Sequence, residues 1–62
     1  MTDDQILAAL TTPLAIKRLR EALGLDPHKP NELLDDALAN LREQGRVTFN
    51  PHNGLWSRNG AH

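Results

Sequence analysis

Apolar residues repeat at helical spacing three times along the chain before the period changes once. Ile6, Leu7 and Leu10 share one face of a helix predicted over residues 3–10. Thr2-Asp3-Asp4-Gln5 has the form of a capping box, with Thr2 as N-cap and Gln5 three residues on. Asp3 and Asp4 then sit in the first turn, where the helix dipole favours carboxylates. Ala15, Ile16, Leu19, Ala22 and Leu23 give the inward side of a second helix over 13–23, leaving Lys17, Arg18, Arg20 and Glu21 outside. Pro13 suits its first position, Thr12 its cap and Gly24 its left-handed stop. A third helix over 30–44 carries the stripe Leu33, Leu34, Ala37, Leu38 and Leu41 and stops at Gly45. After Gly45 the period falls from helical to two, and Val47-Thr48-Phe49-Asn50 and Leu55-Trp56-Ser57-Arg58 read as the strands of a hairpin over 46–58.

The connectors sharpen this outline. Asp26-Pro27-His28-Lys29-Pro30 is a turn with two prolines, in which Asp26 can cap a single turn ahead of the third helix. The hairpin admits two registers. A four-residue loop over 51–54 sets Phe49 opposite Trp56, whereas a tight turn at Asn53-Gly54 sets Pro51 there instead. The registers differ by two residues and so preserve the faces. Val47, Phe49 and Trp56 are predicted inward, with Trp56 as a plug between hairpin and helices or, alternatively, a wing residue that contacts a partner, and Thr48, Asn50, Leu55 and Ser57 outward.

Composition narrows the class. Sixty-two residues make a single domain over 1–62, and a chain of this size buries only ~60 % of its unfolded surface. Without cysteine, neither a disulfide nor a Cys-based zinc site can supplement the core. Helix formers dominate residues 3–46, so the expected class is α+β, mainly α. No apolar run approaches the ~20 residues of a membrane span, and no basic-then-apolar leader is present, so a cytoplasmic protein is expected. The Met1 start and the polar tail 59–62 fit either a complete small protein or the N-terminal module of a longer one.

Two strings carry a resemblance. Leu19-Arg20-Glu21-Ala22-Leu23-Gly24-Leu25 looks like the second helix and turn of many helix-turn-helix proteins. More specific is Leu38-Ala39-Asn40-Leu41-Arg42-Glu43-Gln44-Gly45-Arg46-Val47, in which Leu-x-x-Leu-x-x-x-Gly is followed by a basic and an apolar residue. Over residues 3–58 the chain resembles the winged helix-turn-helix superfamily. The resemblance implies three helices with a C-terminal two-stranded hairpin wing, a very short strand from the Thr11-Thr12 connector, and duplex DNA as partner of a small transcriptional regulator or accessory module. The wing is also loosely similar to that of Z-alpha domains, where prolines precede Leu-Trp. Aligned through Gly45, however, Asp35 and Ala39 stand where that family needs Asn and Tyr, so its function does not carry over.

Charge decides which surface could serve such a role. Seven Lys and Arg against eight Asp and Glu leave a net −1, so any phosphate-binding surface requires segregated cations. The third helix turns Asn31, Glu32, Asp35, Asp36 and Ala39 outward; its carboxylates repel phosphates, although Glu or Asp can accept from a cytosine amino group. That face is otherwise simply solvated, or meets a basic protein partner through Asp35, Asp36 and Ala39, with Leu55 added. The cations and amides favour backbone contacts by Lys17, Arg18, His28, Lys29, Arg46, His52, Asn53 and Arg58, with Asn31 or Glu32 reading bases. Lys29 and Asn31 can hold a phosphate at a helix start. The competing reading is a mixed solvated surface with pairs such as Lys17–Glu21. Catalysis is not expected: Asp35 and Asp36 project ~100° apart on a helix, and no nucleophile-base set, phosphate loop or dinucleotide motif is present. His28, His52 and His62 lack metal-ligand spacing, so neither metal nor cofactor is expected.

Overall fold

The computed structural model describes residues 2–59; Met1 and the tail residues 60–62, with His62, lie outside them. The order is α1 (Asp3–Ala9), β1 (Leu14–Ala15), α2 (Ile16–Ala22), α3 (Glu32–Glu43), β2 (Val47–Asn50) and β3 (Leu55–Arg58). This is a small α+β fold of three helices and a three-stranded antiparallel sheet in the order β1-β3-β2. The capping box forms as expected: Gln5 N–H donates to Thr2 Oγ1 at 3.2 Å and Thr2 N–H to Gln5 Oε1 at 2.9 Å. Ile6, Leu7 and Leu10 are buried, as their spacing requires.

The second helix begins later than predicted. Pro13 does not open it and Thr12 does not cap it; Ala15 is the N-cap, without a side-chain bond. Leu14 and Ala15 are instead drawn onto the outer edge of β3, opposite Trp56 and Leu55 respectively. The pairing satisfies their backbone groups and lets Leu14 pack against the core. The short strand therefore lies two residues beyond the Thr11-Thr12 connector, and the sheet has three strands where the hairpin alone has two. Two further corrections fall on α2. Ala22 is exposed, and Arg20, expected outside, is half-buried with Nη1 donating to the Pro27 carbonyl at 3.2 Å. Arg18 rather than Lys17 pairs with Glu21, at 3.2 Å.

The two glycine stops behave alike. Leu25 N–H donates to the Arg20 carbonyl and Gly24 N–H to that of Glu21; Arg46 N–H donates to the Leu41 carbonyl and Gly45 N–H to that of Arg42. Both are Schellman closures, and both need a left-handed residue, met by Gly24 at φ 76° and Gly45 at φ 74°. A Cβ at Gly45 would meet nothing within 4 Å, so Gly45→Ala costs only backbone strain, ~1–2 kcal/mol. In a domain of this size that lowers the thermal midpoint by roughly 4–16 °C, readable by circular dichroism. An unchanged midpoint would show that α3 can end another way.

The hairpin adopts the four-residue loop, with Phe49 opposite Trp56 and Asn50 opposite Leu55. Val47 is buried and Trp56 packs against the core, so the predicted parity holds. Phe49 is half-buried and lies against Trp56, ring centroids 4.9 Å apart and tilted by 49°. The core itself is Ile6, Leu7, Leu10, Leu19, Leu34, Leu38, Leu41 and Val47. Leu33, predicted in the α3 stripe, is not in it and stands 74 % exposed. Leu34, Leu38 and Leu41 already fill the narrow arc that α3 turns inward, and Leu33 projects ~100° away from Leu34. No helix among the described residues is long and apolar enough to cross a membrane.

Candidate nucleic-acid interface

The sheet register decides which cations meet. Ala15 pairs with Leu55, so the chain leaving β1 enters α2 at the end of the sheet where the 51–54 loop turns. Lys17 and Arg18, in the first turn of α2, thus lie at the same end as His52 and Asn53. The loop between the strands is held by its own side chains. His52 N–H donates to Asn50 Oδ1 at 2.9 Å, Leu55 N–H to Asn53 Oδ1 at 3.0 Å, and Gly54 N–H to the Asn50 carbonyl at 2.7 Å. Asn53 Oδ1 is therefore engaged internally, which leaves the side-chain NH₂ as its donor for a ligand. All four candidates are exposed, although Arg18 shares its charge with Glu21.

Arg46 and Arg58 belong elsewhere. Arg58 pairs with Val47 at the base of the hairpin, three strand residues or ~10 Å from the loop. Arg46 sits beside it, where Asn59 N–H donates to the Arg46 carbonyl and Asn59 Nδ2 to that of Gly45, each at 2.9 Å. Asn59 thus ties the end of β3 to the end of α3, a role hidden in the sequence because its two acceptors lie thirteen and fourteen residues upstream.

A third group surrounds the start of α3. Asp26 Oδ1 accepts from His28 N–H at 2.8 Å, and Arg20 clamps the Pro27 carbonyl, so the turn is fixed from both sides. Lys29 and His28 project from it exposed. Asn31 caps α3, its Oδ1 accepting from Leu34 N–H at 3.0 Å, which leaves only its NH₂ for a ligand. Base reading through the Asn31 oxygen would break this cap.

Beyond the cap, the outward face of α3 is acidic. Glu32, Asp35, Asp36 and Glu43 are exposed, against Arg42 as the only cation of the helix. The single ion pair among the described residues is Arg18–Glu21, so none of these five is neutralised by contact. Alongside lies a groove of about 460 Å³ lined by Asp35, Ala39, Arg42, Glu43 and Trp56. Leu55 faces away from it, half-buried opposite Ala15 and Asn50. The expected partner residues Asp35 and Ala39 therefore meet at the groove, whereas Leu55 does not join them. The groove is hidden in the sequence because nothing local to the chain brings Trp56 beside Asp35, Ala39 and Glu43. Among the described residues no group of His, Asp or Glu is gathered to hold a metal. Compared with known proteins, the chain matches no family model, no curated protein and no solved structure.

Proposed function

We propose that the domain is a winged helix-turn-helix module that binds duplex DNA through the phosphate backbone, as a small regulator or accessory protein. The observation that carries this reading is the β1–β3 register, which gathers Lys17, Arg18, His52 and Asn53 at one end of the sheet. In this reading the 51–54 loop is the tip of the wing and the first turn of α2 lies beside it. Lys29 and the Asn31 amide add a second phosphate contact at the start of α3. Arg46 and Arg58, at the wing base, stay outside the interface. The acidic outer face of α3 makes base readout a minor part of the binding, and affinity rests on charge.

Titration of a random duplex at several salt concentrations tests this. Three or four phosphates neutralised predict a slope of log affinity on log salt of about −3 to −4. Lys17→Ala is expected to make the slope shallower by about one, and Arg58→Ala to leave it unchanged. A folded protein with no complex at low salt would sink the proposal, and equal effects of the two variants would sink the assignment of its surface.

A further inference from the structure

The groove between α3 and β3 is left unused by the DNA reading, and its chemistry suits a different ligand. Asp35, Ala39 and Glu43 stand in one row, each four residues from the next, so the small Ala39 opens a gap between two carboxylates. Trp56 forms the opposite wall. Its indole packs on the core and against Phe49, and its remaining surface belongs to the groove. Asp35 and Glu43 make no ion pair among the described residues, and Arg42 is the only cation in the lining. About 460 Å³ falls within the ordinary range of a small-ligand pocket, ~300–1,000 Å³, enough for one long side chain and the backbone that carries it.

A groove lined by an indole and by carboxylates that make no ion pair suits a planar cation. A guanidinium stacks on indole through cation–π attraction while its fork of N–H groups donates to a carboxylate. The helix adds a field of the same sign, since Glu32 and Asp36 lie on the adjoining face. Phosphate is disfavoured there for the same reason. We infer that this groove docks an arginine side chain from a basic segment of a partner protein. The guanidinium lies on Trp56 between Asp35 and Glu43, over the space left by Ala39. The site shares no residue with the proposed DNA surface, so either reading can fail without the other.

Trp56 is the one Trp and the chain has no Tyr, so intrinsic emission reports directly on the groove. The probe is a terminally blocked peptide of alternating Arg and Gly, with the matching Glu-Gly peptide as control. The Arg peptide is expected to give a saturable change in Trp56 emission and the Glu peptide none. Asp35→Asn with Glu43→Gln is expected to weaken binding roughly tenfold or more, by removing the charge-assisted acceptors. Ala39→Met, exposed and helix-compatible, is expected to abolish the response by filling the gap while leaving the thermal midpoint in place. No emission change up to millimolar Arg peptide would overturn the proposal, as would equal binding by the double variant. A concentration-dependent emission change of the protein alone, matched by sedimentation as a dimer, would give the groove to a second copy and overturn it too. So would a Trp56 response to random duplex that the double variant strengthens.

Discussion

Leu38→Ala is expected to lower the thermal midpoint by roughly 8–40 °C, whereas Leu33→Ala, on the same helix, should move it by only a few degrees. Leu38 is 1 % exposed and sits in the middle of the core; Leu33 is 74 % exposed. Removing a buried leucine costs ~2–5 kcal/mol, part for lost burial and part for the cavity left behind. A 62-residue domain has a total margin of roughly 3–9 kcal/mol, so the loss takes about a fifth of it at the least and can exceed it. Leu33 surrenders little burial, and alanine is the better helix former, so its replacement stays within ~0.5 kcal/mol. Circular dichroism melts of both variants decide the point. Comparable losses would mean that Leu33 is covered in solution, by self-association or by a different packing of α3.

Replacing Glu32, Asp35 and Asp36 together by Gln, Asn and Asn is expected to tighten binding to random duplex roughly tenfold to hundredfold at low salt. The three carboxylates are exposed in the first half of α3, close to the Lys29–Asn31 contact of the proposed DNA surface but not part of it. Each repels several phosphates across a high-dielectric gap, and the summed penalty disappears when all are neutral. The gain should shrink as salt rises, because the repulsion it removes is itself screened. Glu32 and Asp35 also lie in the first turn of α3, so their loss costs the helix ~0.3–1 kcal/mol each, and binding has to be corrected for the folded fraction. Unchanged or weaker affinity in the folded variant would move α3 away from DNA. The same variant lacks Asp35 and should hold the arginine peptide less well. Opposite responses to the two ligands would separate the two surfaces within one protein.

Much of the fold was legible because its signals are local. Thr2 and Gln5 cap α1 within a single turn, and Gly24 and Gly45 stop their helices through bonds spanning at most five residues. Hairpin parity was legible for a related reason: both registers allowed by the loop keep Val47, Phe49 and Trp56 on one side. Leu33 was misplaced because the leucine stripe is wider than the arc that two flanking elements can cover. Pro13 was misread because its helix-start signal is genuine by local rules and was overridden by a distant strand edge.

The candidate site was legible residue by residue but not as an arrangement. Composition and spacing identified the acidic face of α3 and the scattered cations. They could not say that Lys17 belongs with His52 and Arg58 does not, because that follows from Ala15 pairing with Leu55, forty residues on. Nor could they show that Trp56 lines a groove together with Asp35 and Glu43. Taken alone, the sequence determined where α1 starts, where α2 and α3 stop, which face of the hairpin is apolar, and the absence of any cysteine-based support. Tertiary structure decided where the third strand falls, the exposure of Leu33 and the company each charge keeps. The reason is physical: periodicity reports what lies on one side of an element, while pairing across long loops, in which a two-residue strand such as β1 has no period of its own, selects what lies against it.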